Sequence, residues 1–580
     1  MVPARGVERL APSPVPGDFL DHCTTLPGAI EELVARFPDY ECLIVLAGNG
    51  QQQRTTLAGF WQRAKAAQTL FEDRGLVPGD HALLVLPTGG DLVAAYFGVM
   101  LAGGVPALSA APSNRIADHS VYLRFLARVL GNAGARFVLA DEEVTEILAA
   151  APGPALAGAS LLSTGALPAS GAEPATVAAD PDAVATIQYS SGTTGHPKGV
   201  MLSHRAMLNY MRSLRDGVGL RADDVHVNWA PLYHDMGLFG AFLLPLLCGS
   251  PTVLIPTMDF LRDPAVWLRA LHRYGGAVSW ASNFAYALCA QRIEDDEIEG
   301  LDLSSWRIAF NASEPVLAPT VEAFARRFAP YGYRPEAMTA AWGLAETVMV
   351  CSAHPVGEAP RVDRIDRRRL ATESVAEPTL GEGVSLVATG QALPNVEIEI
   401  RGGETGVRLP ERHVGAIWLR SNCLFEGYQN DPARTAEVCV DGWLDSGDRG
   451  YLVGDDLFFV AREKDLIVVG GEKYAPHDVE MAINRVDGVR QGCAVAFGVA
   501  NPESGTEELG AVAETRVEGV EALTDLRGAV RREVARTIGL GIRHLHLVPP
   551  GGIDKTTSGK LARRSTRARY PEIFGGEHGS

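Results

Sequence analysis

Tyr189-Ser190-Ser191-Gly192-Thr193-Thr194-Gly195-His196-Pro197-Lys198-Gly199-Val200 follows directly on the apolar segment Ala183 to Gln188. Hydroxyls and glycines run to a single lysine. Such a loop can wrap a triphosphate: glycines let backbone N–H groups approach, hydroxyls donate, and the ammonium neutralises charge. It is not a Walker A loop, which needs Gly-Lys-Ser/Thr, because here Pro197 precedes Lys198. Taken alone, the stretch also admits the plainer reading of a solvated Ser/Gly connector.

Outward from this loop the chain has an α/β rhythm. Leu57 to Arg74 reads as an amphipathic helix, His81 to Leu86 as a buried strand, Asp91 to Ala102 as a helix and Arg136 to Ala140 as a strand. That alternation is the βαβ pattern of a parallel sheet covered by helices. Ala151 to Asp180, rich in Ala, Gly, Pro and Ser, reads as a long loose connector. The alternation resumes to about Ala353. Residues 382–460 differ: Ser385 to Ala388, Glu397 to Arg401, Ala416 to Arg420 and Leu457 to Val460 are short strands between turns, and a compact β subdomain is expected. From about residue 464 helices (Pro476 to Asn484, Asp525 to Thr537) mix again with strands (Gly492 to Val499, Gly510 to Thr515, His544 to Leu547). The expected fold is α/β, with a large N-terminal domain over 1–463 and a small α+β domain over 464–580.

The 580 residues are too many for one core, and 46% hydrophobic with 21% charged residues suits a folded soluble protein. Leu92 to Asn114 is uncharged apart from Asp91 before it, but its glycines and small residues read as a buried helix and strand, not as an integral membrane span. Met1 to Asp18 lacks the apolar core of a secretory signal. Eight scattered cysteines without CxxC spacing suit reduced thiols in a cytoplasm and give no zinc site. A net charge of −18 argues against nucleic acid as a partner. All of it sits in residues 1–463, since 464–580 hold sixteen charges of each sign. Within that neutral piece Arg563, Arg564, Arg567 and Arg569 cluster, where an acidic partner would dock by steering.

Five more segments match the first loop in character. Ala340-Ala341-Trp342-Gly343-Leu344-Ala345-Glu346-Thr347 sets an aromatic face, suited to stacking on adenine, close to a carboxylate that can hold Mg²⁺. Gly442 to Asp448 ends in a carboxylate after a turn, suited to ribose hydroxyls. Ala461-Arg462-Glu463-Lys464-Asp465 puts a fixed cation where composition changes. Asn311-Ala312-Ser313-Glu314-Pro315 is a turn able to face the adenine edge. Asp554 to Lys560 is a second hydroxyl/glycine loop presenting a lysine. Individually, Glu346 or Asp448 reads as a surface or capping carboxylate, Lys560 as a solvated lysine and Trp342 as core. The specificity lies in six motifs occurring in this order.

With these residues in place, the chain resembles the adenylate-forming enzymes, the superfamily of acyl-CoA synthetases, luciferases and nonribosomal adenylation domains, over nearly its full length. The resemblance implies ATP and Mg²⁺ as cofactors. It implies that Ser190, Ser191, Gly192, Thr193, Thr194, Gly195 and Lys198 grip the β/γ-phosphates, that Glu346 holds the metal, and that Ser313, Glu314, Pro315 and Ala341 to Ala345, through Gly343 and Leu344, surround the adenine, with Trp342 where tyrosine is usual. Asp448 and Arg462 would hold the ribose. Lys464 would be the hinge. Lys560 would enter the site during adenylation, acting there with Glu346, Thr194 and Lys198.

Within the superfamily it looks most like the fatty acyl-AMP ligases, on Trp229 to Leu238, Ser282 to Tyr286, Asn311 to Val316 and the extra segment Val362 to Ala371. An insertion of that kind is associated with disfavouring coenzyme A. The implied reaction is ATP-dependent activation of a fatty acid to acyl-adenylate, with transfer to a holo acyl carrier protein in lipid, polyketide or lipopeptide biosynthesis. His234, Asp235, Ser279, Asn283 and Phe284 are the expected acyl pocket. Two departures stand: Ala312-Ser313 replaces the usual Gly-Ala, and Gly470-Gly471 is typical of coenzyme A ligases. A fatty acyl-CoA synthetase is therefore the nearest alternative, followed by an amino-acid-activating domain with Asp235 as the pocket acid, and by a scaffold that keeps the fold without catalysis.

Overall fold

Strands sandwiched between two helical layers need unbroken apolar runs. Ala82 to Val85, Val105–Leu108 and Phe137–Ala140 supply them, with Ala82, Leu83, Leu84, Val85, Ala107, Val138, Leu139 and Ala140 all fully buried. The computed structural model describes residues 7–8, 10–46, 51–112, 120–149, 156, 158–168, 175–190, 197–403, 406–501, 506–556 and 560–574. Among them, one seven-stranded sheet runs Gly427–Tyr428, Lys198–Ser203, Val184–Ser190, Val105–Leu108, His81–Val85, Phe137–Ala140 and Ser160–Ser163. Helices Leu57–Asp73, Gly90–Leu101 and Ser120–Ala133 accompany it, close to their expected limits where these were read. The last strand is a correction. Ser160–Ser163 lies inside the stretch read as loose connector and pairs in parallel with Phe137–Ala140. Only Leu162 of it is buried, so an edge strand of four residues carries too little apolar signal to stand out from its Ala/Gly/Pro-rich surroundings.

A second, fifteen-stranded sheet carries the parallel strands His226–Asn228, Thr252–Leu254, Val278–Ala281, Ile308–Asn311 and Met338–Gly343. It continues through antiparallel Val350–Ala353 and Val384–Ala392 into Asp456–Arg462, Trp443–Val453, Gly415–Ser421 and Val396–Arg401. The strands of 382–460 thus hydrogen-bond onto the α/β sheet, while Gly427–Tyr428 leaves them to extend the seven-stranded one. The seven described cysteines other than Cys439 are buried, and all eight are free thiols.

Past the short 3₁₀ turn Glu463–Asp465 the chain builds its own core from Val479, Ile483, Ala494, Leu509, Val530 and Val534. Helices Pro476–Asn484 and Val520–Ile538 pack on the three-stranded sheet Val489–Asn501, Thr506–Thr515 and Ile542–Val548. The extra segment is ordered as strand Val362–Ile365, paired with Val384–Ala392, and helix Arg367–Glu373, capped by Asp366 at Arg369 N (2.9 Å). That helix packs against Glu472–Tyr474 of the C-terminal unit, and Arg367 Nη1 reaches Asp478 Oδ2 at 3.3 Å. No helix among the described residues is long and apolar enough to cross a membrane.

Candidate functional site

The quoted loop joins two antiparallel strands, with Ser190 opposite Lys198. Ser191, Gly192, Thr193, Thr194 and Gly195 lie outside the described residues, and of Ser190 only the backbone is described. Tyr428 pairs with Val200 on the neighbouring edge strand, which brings its ring beneath Lys198: Nζ sits 5.0 Å from the ring centroid. Tyr428 Oη donates to Glu346 Oε1 at 2.5 Å. Desolvation, reinforced by that carboxylate, pushes the phenol far above its usual range, so it remains a donor at any physiological pH. Desolvation lowers the Lys198 pKa, against the pull of Glu346. Glu346 stands on the turn Ala345–Thr347, which ends at Val348 with φ +72. Positive φ is a strained state for a β-branched residue, and here it is locked by complete burial. Sequence reading missed Tyr428, because Gly427-Tyr428 resembles any strand dipeptide until its pairing with Val200 is known.

Trp342, at the end of Met338–Gly343, is 6% exposed and donates from Nε1 to Asp448 Oδ2 at 2.9 Å. Asp448 and Arg462 are register partners across the hairpin, and Arg462 Nε lies 3.6 Å from Asp448 Oδ1. Desolvation raises the Asp448 pKa and Arg462 opposes it. Lys464 follows on the Glu463–Asp465 turn; desolvation and then the Arg462 charge bring its pKa down to about 8.

His234 and Asp235 precede a stretch of π-helix, Met236–Leu243. Gly237 must be glycine there: a Cβ would stand 2.1 Å from the Pro231 carbonyl oxygen. Asp235 Oδ1 lies 2.6 Å from His234 Nδ1, and Lys560 Nζ lies 3.1 Å from His234 Nε2. Burial raises the Asp235 pKa, but His234, Lys560 and the Met236 N–H outweigh it and hold the carboxyl below its usual range. Desolvation lowers the Lys560 pKa. Glu314 Oε1 accepts from Phe284 N at 2.6 Å, Asn283 Oδ1 accepts from Leu317 N at 3.1 Å, and Ser313 takes φ +73 at the turn.

These groups converge. A cavity of about 1620 Å³ is lined by Lys198, His234, Asp235, Asn283, Phe284, Ser313, Glu314, Pro315, Ala341 to Glu346, Asp448, Arg462, Lys464 and Lys560. Among the expected residues whose side chains are described, one is not in this lining. Ser279 is fully buried on the other face of Val278–Ala281, accepting from Trp267 Nε1 at 2.8 Å and donating to Val227 O at 2.5 Å. Strand alternation is the reason: Trp280, its neighbour, takes the cavity side and stacks on Phe310.

Residues 30–429 match the family model for AMP-binding enzymes. The chain belongs to the AMP-binding enzyme family. Among its relatives, the long-chain-fatty-acid–AMP ligase FadD26 of Mycobacterium marinum is 31% identical over 93% of this chain and 94% of its own. A protein of Caulobacter vibrioides provisionally named an acyl-CoA synthetase is 34% identical over 86% of each. A solved structure from a study of fatty acyl-adenylate ligases of E. coli and L. pneumophila superposes with a TM-score of 0.88 at 30% identity, covering 96% of this chain and 99% of that one. The resemblance drawn from the motifs holds for family, enzyme class and α/β fold.

This AMP-binding enzyme shows no cluster of three or more His, Cys, Asp or Glu side chains that would cage a metal among its described residues. Mg²⁺ is commonly held by one or two carboxylates together with substrate phosphates. Glu346, facing the cavity and oriented by Tyr428, fits that mode.

Proposed function

We propose that this AMP-binding enzyme activates a fatty acid with Mg-ATP and passes the acyl group to the phosphopantetheine thiol of a carrier protein. A carboxylate oxygen attacks the α-phosphorus, the bond from that phosphorus to the bridging oxygen breaks, and pyrophosphate leaves with the electron pair. The thiolate then attacks the acyl carbonyl and AMP leaves. The observation that carries the reading is the meeting, in one cavity, of Lys560 from the C-terminal unit with Lys198, Glu346, Asp448 and Arg462 from the N-terminal unit. The ammonium groups of Lys198 and Lys560 would meet negative charge that grows on the phosphates, which is electrostatic stabilisation needing no side-chain nucleophile. Trp342 and Ala341 to Ala345 would bound the adenine, with Asp448 and Arg462 at the ribose, Glu346 on the metal, and Asn283, Phe284 and His234 at the acyl end. Lys464, between the two cores, would be the hinge.

A fatty substrate is supported by the names of the relatives above. A carrier protein as acceptor is supported by the helix Arg367–Glu373, which fastens onto the C-terminal unit through Asp478. Gly470-Gly471, the feature favouring coenzyme A, has a structural account: with φ of +59 and +87 they form the two-residue turn between Val469 and its partner Glu472. Purified protein given Mg-ATP and fatty acids of several lengths should release pyrophosphate and label a holo carrier protein in preference to coenzyme A. Preferential labelling of coenzyme A would overturn the acceptor, and absence of pyrophosphate release would overturn the whole reading.

A further inference from the structure

We infer that His234 is a positioning residue for Lys560: with its tautomer set by Asp235, the imidazole accepts a hydrogen bond from the lysine ammonium and seats the lysine loop of the C-terminal unit in the cavity. The inference rests on the adenylating function proposed above.

The polarity of this chain of contacts follows from what each group is able to do. An ionised carboxylate only accepts and an ammonium only donates. The Met236 N–H faces Asp235 Oδ1 at 2.6 Å and, less closely, His234 Nδ1 at 3.2 Å. Oδ1 itself stands 2.6 Å from Nδ1, too close for two facing lone pairs, so a proton lies between them on Nδ1 and Nε2 keeps a lone pair. Nε2 therefore receives the Lys560 proton at 3.1 Å. The receiving end is stiff. His234 O accepts from both Gly237 N (3.0 Å) and Leu238 N (2.9 Å), and the π-helix that follows is wholly buried. Side-chain exposures of 14% for His234 and 19% for Asp235 leave little room for water to replace the contact.

At the lysine end, in the C-terminal unit, Thr556 N donates to Lys560 O at 2.8 Å and Lys560 N to Thr556 Oγ1 at 3.1 Å. Asp235 and Glu314 attract the ammonium and Arg462 repels it, so charge alone leaves its direction open. Nε2 supplies the direction. The contact spans 326 residues of sequence and joins the two units, so it is made only when the C-terminal unit is seated.

Two variants and two half-reactions test this. His234→Leu keeps the bulk and removes the acceptor, while His234→Gln puts an amide oxygen near the place of Nε2. Adenylate formation is read as pyrophosphate release in a single turnover with Mg-ATP and fatty acid. Transfer is read as consumption of supplied acyl-adenylate by a holo carrier protein. A hydrogen bond from a charged donor predicts that His234→Leu loses roughly 10- to 100-fold in adenylate formation beyond any loss in transfer, with His234→Gln recovering most of it. Equal losses in both half-reactions, undiminished adenylate formation in His234→Leu, or equal behaviour of Leu and Gln would each overturn the inference. A wild-type chain that releases no pyrophosphate would instead refute the function on which it rests.

Discussion

Tyr428→Phe isolates one atom at the Lys198 end of the cavity. Phenylalanine keeps the aromatic face 5.0 Å beneath Lys198, and with it the cation–π contact, and removes only the hydroxyl that Glu346 accepts from at 2.5 Å. A hydrogen bond to a charged group contributes about 1.5–3 kcal/mol. Glu346 is only partly buried, so water recovers part of this. A residual of about 1–1.5 kcal/mol corresponds to roughly 5- to 12-fold at 1.4 kcal/mol per decade. The expected outcome is that factor in the Mg²⁺ concentration giving half-maximal ATP–pyrophosphate exchange, because a carboxylate free to rotate is a poorer ligand. Tyr428→Leu, which also removes the ring, should lose further in the KM for ATP through Lys198. Should Tyr428→Phe match wild type in its Mg²⁺ dependence, or should the Phe and Leu variants be indistinguishable, the assignment of Tyr428 as the orienting partner of Glu346 is wrong.

Three further outcomes are expected. Ser279→Ala leaves the buried Trp267 N–H without its acceptor and should cost about 1–3 kcal/mol in urea unfolding while leaving the KM for the fatty acid unchanged; a raised KM with unchanged stability would return Ser279 to the pocket. Trp342→Phe strips Asp448 of its indole donor and should weaken AMP binding, measured calorimetrically, by roughly 10-fold, whereas unchanged affinity would mean that Arg462 alone orients the carboxylate. With a pKa of about 8, Lys464 sheds its proton in the folded chain well below the ~10.4 of an unfolded lysine; the unfolded chain binds more protons across that window, so stability should rise with pH there. Lys464→Met should flatten the rise, and amine modification of Lys464 followed by peptide mass spectrometry should reach half its plateau near pH 8; a midpoint above pH 10 would contradict the crowding of cations at this turn.

Patterns of short range were legible in the chain. The helix Pro476–Asn484 was readable to the residue because proline at the first helical position marks its start. Leu457 to Val460 was readable as a strand within Asp456–Arg462, whereas the start of Trp443–Val453 reads as a turn before Asp448; the hairpin pairing of the two strands places Asp448 against Arg462, fourteen residues apart. The six motifs sufficed to bring the family into view, because backbone shape around a phosphate depends on which residues stand next to one another. What the chain did not reveal depends on partners distant in sequence. Tyr428 meets Lys198 and Glu346 only because a two-residue strand leaves one sheet to edge the other. Trp342 finds Asp448 across 106 residues through the shared sheet, and His234 finds Lys560 across 326 only through the docking of the C-terminal unit. Ser279 shows the same divide within a single strand. Alternation assigns it and Trp280 to opposite faces, but which face opens on the cavity is fixed by the layer that packs against the sheet, and local sequence carries no record of that layer.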